Sequence, residues 1–275
     1  MKANTAIGIA GAIGCLLFAV IMEGGNPAAL INIPALLIVI GGTSMATFAS
    51  SSMEQMKRLP TLYKKAFSGS DLDARAAIAT MVGLADKARR EGLLALENEL
   101  DGLPDEYSRK GIQLVIDGTD SDLVRTILQS ELDGMMGRHR ANAKFFATAG
   151  GFAPTLGILG TVLSLVHVLE NLSSPRTLGH SIAGAFLATL YGVGSANIIF
   201  LPVSNKLKEL STEEVLYREL LLEGVLSIQA GENPRILADR LSTFLPPGDR
   251  KAKATAAAAA EQAPDAGPAQ EAAAA

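Results

Sequence analysis

The chain has 275 residues, of which 24 are lysine or arginine and 28 are aspartate or glutamate, so its formal net charge is −4. That balance excludes the strongly basic surface that nucleic-acid-binding domains present. Hydrophobic residues make up 48% of the sequence and the mean hydropathy is +0.27, which is typical of an integral membrane protein with a modest polar region.

Residues 1–50 are predicted to form a transmembrane hairpin. Residues 3–22 carry no charge, and residues 24–53 form a second uncharged run, so each is long enough to cross a bilayer. A cleaved signal peptide is the alternative for the first run. Only one lysine precedes that run and no A-x-A-like cleavage site follows it, which favours a retained helix. The connection at residues 23–27 is short, so the two helices are expected to be antiparallel.

Residues 51–144 have a different composition and predict a helical cytoplasmic domain. Residues 54–144 contain 14 basic and 15 acidic side chains, well mixed. Apolar residues recur at helical spacing, as at Ile78, Met81 and Ala85. The pattern predicts four or five amphipathic helices and no strand, and the last of these is expected to continue from about residue 121 into the third span.

A second transmembrane hairpin is predicted over residues 145–203. Residues 145–169 form a run of 25 without a charged side chain, and a short polar link follows at residues 171–180. A second such run of 29 residues begins within this link, at residue 177, and ends at residue 205. The fold class that follows is an all-α integral membrane protein with four transmembrane helices and a large helical cytoplasmic domain. Residues 204–246 are expected to form a cytoplasmic helical extension. Residues 247–275 are rich in Ala and Pro and predict a disordered tail.

The placement of Lys and Arg predicts the topology. Residues 54–144 contain 14 of them and residues 204–275 contain 8, whereas the first interhelical connection contains none and the second contains one. By the positive-inside rule, the large loop and both termini lie in the cytoplasm.

The predicted spans contain hydroxyl groups and prolines but no carboxylate in their interiors. Carriers of protons or sodium ions usually need an ionisable group inside the bilayer, so a partner would have to supply it. Thr161 and Thr189 each follow a row of small residues. They line an ion path or merely support helix packing, and the sequence leaves both open. Pro154 and Pro202 are likewise either tolerated kinks or hinges.

Three segments resemble the MotA/TolQ/ExbB family. They are GFAPTLGILGTV at residues 151–162, AFLATLYG at residues 185–192, and KARREGLLALE at residues 87–97. The last is similar to the cytoplasmic loop of MotA and PomA, the A subunits of the flagellar motor stator. The resemblance covers about residues 1–245 and includes the order hairpin, large loop, hairpin, tail.

That resemblance implies an A subunit that forms a homo-oligomer, expected to be a pentamer, around two copies of a MotB/PomB-like B subunit. The B subunit would supply the membrane aspartate and a peptidoglycan-binding domain. Passage of H⁺ or Na⁺ would turn the ring and exert torque on the rotor protein FliG.

The resemblance also implies roles for individual residues. Pro154 and Pro202 correspond to two functional prolines, and Thr189 to a hydroxyl shared by proton-driven and sodium-driven members. Thr161 corresponds to a position that is Thr in PomA and often Ala in MotA, which favours sodium, although proton-driven TolQ and ExbB relatives also have Thr there. The rotor-facing residues would be Arg89, Arg90, Glu97 and Glu99. Without the family, these charges would be interpreted as an ordinary solvated helix surface.

Three other functions are alternatives to a stator A subunit. A TolQ/ExbB-type energiser of envelope processes usually has three spans, which the short first hairpin argues against. No H-E-x-x-H motif, phosphate-binding glycine loop or nucleophile elbow occurs, so neither an enzyme nor a cofactor or metal site is predicted. A scaffold without ion flow is the third.

Overall fold

The computed structural model describes residues 4–69, 72–170 and 175–248, and all the regular structure in these residues is helical. The predicted all-α fold class is confirmed in these residues. Most of the tail predicted over residues 247–275 lies outside the described residues, as do residues 171–174 of the second link.

The first hairpin consists of α1 (Asn4–Met22), a 3₁₀ segment (Pro27–Leu30), and a second apolar helix in three parts. Those parts are α2 (Ile33–Leu36), a π-helical segment (Leu37–Gly41) and α3 (Gly42–Ala49). Asn32 caps α2 by accepting a hydrogen bond from the Ala35 N–H at 3.0 Å. The π-helical turn ends at Gly42, where an added Cβ would stand 3.3 Å from Leu156, so the glycine permits a close contact.

The polar region contains three complete helices and a ten-residue 3₁₀ segment. The helices are α4 (Met53–Ser68), α5 (Ala74–Glu91) and α6 (Glu106–Ile116), and Leu93–Gly102 forms the 3₁₀ segment. A capping box between Ser52 and Gln55 begins α4, and Asp73 and Asp105 cap the next two helices. The turn-forming sequences DGLP at residues 101–104 and DG at residues 117–118 lie where helical segments end or begin.

The remaining chain forms long helices. These are α7 (Ser121–Glu170), α8 (Pro175–Gly194), α9 (Leu201–Gln229) and α10 (Pro234–Ser242), with a π-helical segment at Ser195–Phe200. The prediction that the helix beginning near residue 121 continues into the third span is confirmed, because α7 is unbroken over 50 residues. The fourth apolar run likewise continues into the charged helix α9.

In the part of the chain that the structure describes, three helices are long and apolar enough to span a membrane: Asn4–Met22, Ser121–Glu170 and Ser181–Gln229. The second predicted span, within residues 24–53, contains a shorter apolar helix, Ile33–Ala49. Its shortness has a local cause, since Pro34 lies in its first turn and the chain before Asn32 takes a 3₁₀ turn rather than extending the helix.

The described residues form two compact units, one within 1–71 and 131–215, the other within 72–130 and 216–275. The second unit has a single large hydrophobic core in which Ile112 and Leu128 pack with Leu221 and Val225 of α9. The first unit has smaller clusters, one around Phe146 and Val203 and one around Ala188. Both predicted hairpins and the proposed ion-path residues, Thr161 and Thr189, belong to the first unit.

Candidate functional site

Helices α7 and α8 meet at glycines. A Cβ atom on Gly192 would stand 2.6 Å from the carbonyl oxygen of Ala153 and 2.9 Å from Cα of Gly157. One on Gly157 would stand 2.9 Å from the carbonyl oxygen of Ala188. Atoms at these distances leave no room for a side chain, so the two helices touch through bare backbone. This contact sets the register of the polar groups beside it.

One helical turn from the glycines, the hydroxyl oxygens of Thr161 and Thr189 are 2.6 Å apart. Thr161 Oγ1 also lies 3.0 Å from the Gly157 carbonyl oxygen in its own helix and 3.0 Å from the Ala185 carbonyl oxygen in α8. Because a hydroxyl has one proton, Thr161 can donate to one carbonyl while accepting from Thr189, or donate to Thr189 itself. When Thr189 donates, both its lone pairs are available to water or a cation.

Three other polar side chains, in α7 and in the π-helical segment after α8, bond to their own backbone. Thr155 donates to the Phe152 carbonyl at 2.7 Å, Ser195 to Gly192 at 3.3 Å, and Asn197 to Val193 at 2.9 Å. This is the ordinary behaviour of polar side chains in apolar helices. The bond between Thr161 and Thr189 differs because it joins two helices through two side chains.

Helix α8 presents two neighbouring faces. The face toward α7 carries Ala185, Thr189 and Gly192. The face toward the first hairpin carries Gly184, Ala188 and Tyr191. The spacing i, i+4, i+7 of both sets makes each a single stripe. No signal in the sequence marked Tyr191, which lies within a run of uncharged residues.

The two prolines perturb adjacent points of the bundle. Pro154 lies inside α7 and cannot donate to the Gly150 carbonyl. Gly150 packs against Leu201, since an added Cβ there would stand 2.8 Å from Leu201 Cδ2. Leu201 directly precedes Pro202, and its N–H bonds to the Ala196 carbonyl five residues back. Pro202 has no N–H to donate, and in the π-helical segment before it the backbone hydrogen bonds reach five residues back instead of four.

The charged residues near the end of α5 are partly engaged with one another. Arg90 forms an ion pair with Asp86 one turn earlier. Lys87 Nζ donates to Glu99 Oε1 at 2.6 Å, and this hydrogen bond raises the pKa of Lys87 against a smaller effect of desolvation. Arg89 and Glu97 are exposed. The predicted rotor-facing residues therefore lie on α5 and the 3₁₀ segment after it, with Glu99 tied to α5.

His167 and Glu170 at the end of α7 are both exposed, with His167 Nδ1 3.8 Å from the carboxylate. Within residues 4–69, 72–170 and 175–248, no group of three His, Cys, Asp or Glu side chains could hold a metal ion.

The comparisons with known proteins agree with one another. The profile of the MotA/TolQ/ExbB proton channel family matches residues 99–220, and the profile of the Motility protein A N-terminal region matches residues 6–92. Motility protein A of Borreliella burgdorferi is 41% identical over 80% of this chain and 84% of its own length. The chain belongs to the MotA/TolQ/ExbB proton channel family. Motility protein A of Bacillus subtilis is 37% identical over 91% of this chain and 93% of that protein.

The similarity to known proteins extends to the three-dimensional fold. The flagellar MotAB stator complex from Bacillus subtilis contains a chain that matches with a TM-score of 0.86 and 36% identity, covering 91% of this chain and 99% of that one. With the motility-specific N-terminal match, this makes the protein a stator A subunit of the flagellar motor, and a TolQ/ExbB-type energiser is not favoured. The family profile over 99–220 includes Pro154, Thr161, Thr189 and Pro202.

Proposed function

We propose that this stator A subunit spans the inner membrane four times and supplies the hydroxyl-lined half of an ion path. A MotB/PomB-like B subunit supplies the carboxylate. The observation that carries this proposal is the inter-helical pair of Thr161 and Thr189 in runs that contain no charged side chain. A hydroxyl pair can ligate a passing cation or water but cannot store a proton at neutral pH, so an acid must come from elsewhere.

The assembly proposed is a ring of five A subunits around two B subunits. Support comes from apolar side chains that this chain leaves uncovered. Ile158, Leu159 and Leu163 on α7 and Phe186 on α8 are each more than half exposed. Side chains of this size in an apolar helix require lipid or a neighbouring helix. The distribution of Lys and Arg supports a cytoplasmic location for both termini, and Ile33–Ala49 would serve as the short second span.

The test of this function is complementation. The chain is expressed with its B subunit in a motile host that lacks stators, and rotation of tethered cells is recorded. Rotation that depends on both chains is expected, together with a complex that contains both after purification in detergent. A chain that inserts into the membrane but neither binds a B subunit nor restores rotation would contradict the proposal.

The coupling ion is proposed to be sodium, with protons as the alternative. Replacing Thr161 by alanine removes a hydroxyl that lies within 3.0 Å of two carbonyl oxygens, so a sodium ion would lose a potential ligand while a proton path through water would persist. The expected result is an increase of about tenfold in the sodium concentration needed for half-maximal speed. Speeds that do not depend on sodium, with or without the substitution, would identify protons as the ion.

The rotor-facing surface is proposed to contain Arg89, Arg90, Glu97 and Glu99 and to contact FliG. Reversing the charge in Arg90→Glu replaces the ion pair with Asp86 by a repulsion and inverts the charge offered to the rotor. The expected result is a swim-ring diameter reduced to less than about half, with recovery when an acidic FliG residue is made basic.

Arg235→Glu is the matched control for that surface. Arg235 is an exposed arginine in the same compact unit, and it lies in the first turn of α10, where an acidic side chain is favourable. This control is expected to swim normally. If no reversal in the rotor restores Arg90→Glu, the electrostatic contact is wrong.

A further inference from the structure

A polar tether joins α8 to the linker of the first hairpin. The Tyr191 hydroxyl donates to the Leu30 carbonyl oxygen and accepts from the Asn32 N–H at 3.0 Å. Asn32 lies against α8 a second time, since an added Cβ on Gly184 would stand 3.3 Å from Asn32 Nδ2. Two contacts seven residues apart therefore hold one face of α8 to the linker.

The partners of Tyr191 are backbone groups at the junction between the 3₁₀ segment and α2. The Leu30 carbonyl stands where one helical segment ends, and the Asn32 N–H stands where the next begins. Backbone groups that lack a partner in an apolar environment cost free energy, so a tyrosine that satisfies both is a strong local anchor. A phenylalanine would fill the same volume without satisfying either group.

This anchor controls the rotation of α8 about its own axis. Tyr191 lies on the stripe toward the first hairpin, and Thr189 lies on the adjacent stripe toward α7. A side-chain atom stands about 5 Å from a helix axis, so a rotation of about 20° would move the Thr189 hydroxyl by about 1.7 Å. That displacement would break a hydroxyl–hydroxyl contact of 2.6 Å.

We propose that Tyr191 is a positioning residue for the ion path: its tether to Leu30 and Asn32 sets the rotation of α8 at which Thr189 meets Thr161. The inference rests on the proposed ion-conducting function of that pair. Tyr191 itself acts on the ion only through Thr189, because its hydroxyl is occupied by the linker.

The experiment compares Tyr191→Phe with the unchanged protein in the full complex with its B subunit. Speed is measured against the concentration of the driving ion, sodium or protons, and the amount and size of the complex are measured in parallel. The expected result is a complex of normal amount, a maximum speed within about twofold of the unchanged protein, and a half-maximal ion concentration raised about fivefold, which is the effect of one hydrogen bond. Gly184→Ala adds a Cβ that would displace the Asn32 side chain, so it is also expected to raise the half-maximal ion concentration.

Two comparisons make the result specific. Tyr63→Phe removes the same hydroxyl from a tyrosine whose ring packs edge-on against Phe146 at 5.0 Å, and it should leave the half-maximal concentration unchanged. In a Thr161→Ala background, Tyr191→Phe should add little further shift, because the partner that it aligns is absent.

Other outcomes overturn the proposal. An unchanged half-maximal concentration with lower maximum speed, or loss of the complex, would assign Tyr191 to assembly rather than alignment. Additive shifts with Thr161→Ala would show that it does not act through the pair. If the unchanged protein fails to rotate with its B subunit at any ion concentration, the proposed function fails, which is a different result.

Discussion

Replacing Gly192 by alanine is expected to abolish assembly of the stator and rotation with it. The added Cβ would lie 2.6 Å from the Ala153 carbonyl oxygen and 2.9 Å from Cα of Gly157, and both atoms belong to backbone that cannot turn aside. Helices α7 and α8 would have to separate, at a cost of about 1–3 kcal/mol for the overpacking. The bond between Thr161 and Thr189 would lengthen at the same time. The amount of membrane-inserted chain and the size of its complex with the B subunit measure the effect.

Gly194→Ala is the control for that substitution. Gly194 lies two residues further along the same helix, and a Cβ built there meets no atom of this chain within 4 Å. The helix propensity gained is the same in both variants, so only the contact with α7 differs. Normal assembly and rotation in Gly192→Ala would show that α7 and α8 do not approach as closely as the glycines indicate.

The helices could be predicted because their signals are local. Amphipathic spacing and charge-free runs indicate where α5, α7 and α9 lie. The interruptions within the apolar helices were harder to foresee. The π-helical segment at Ser195–Phe200 depends on how carbonyls re-pair around Pro202, and the sequence indicates only that a donor is missing.

The periodicity of apolar residues could not predict which distant segments pack together. Ile112 and Leu128 share one core with Leu221 and Val225, which are about a hundred residues away. The sequence shows that each of these lies on an apolar helix face, but not which faces meet. The predicted separation of residues 51–144 from residues 204–246 follows chain order, whereas a core depends on contacts between distant segments.

Some polar residues of the candidate site could be predicted from the sequence, and others could not. Thr161 and Thr189 could be singled out because each continues a row of small residues, and such rows mark helix contacts. Tyr191 could not, because its partners are backbone atoms of Leu30 and Asn32, which any sequence would contain. Side chains that bond to backbone leave no matching residue for a pattern to reveal.

Replacing Thr189 by valine is expected to slow rotation strongly while leaving the complex intact. Valine has nearly the same shape, and Thr161 keeps the Gly157 and Ala185 carbonyls as acceptors, so no donor is stranded. What is lost is the oxygen 2.6 Å from Thr161 that can accept from water or ligate a cation. Speed at saturating ion should fall by at least about tenfold, the equivalent of about 1.4 kcal/mol.

The control for Thr189→Val is Thr47→Val. Thr47 is a buried threonine of the first hairpin whose hydroxyl donates to the Thr43 carbonyl of its own helix at 2.7 Å. The chemical change is identical, but no second helix is involved, so rotation should stay near normal. Equal losses in the two variants would mean that removing any buried hydroxyl harms the bundle. Normal torque in Thr189→Val would go further and favour a scaffold over an ion path, because rotation would then proceed without the hydroxyl that α8 offers to α7.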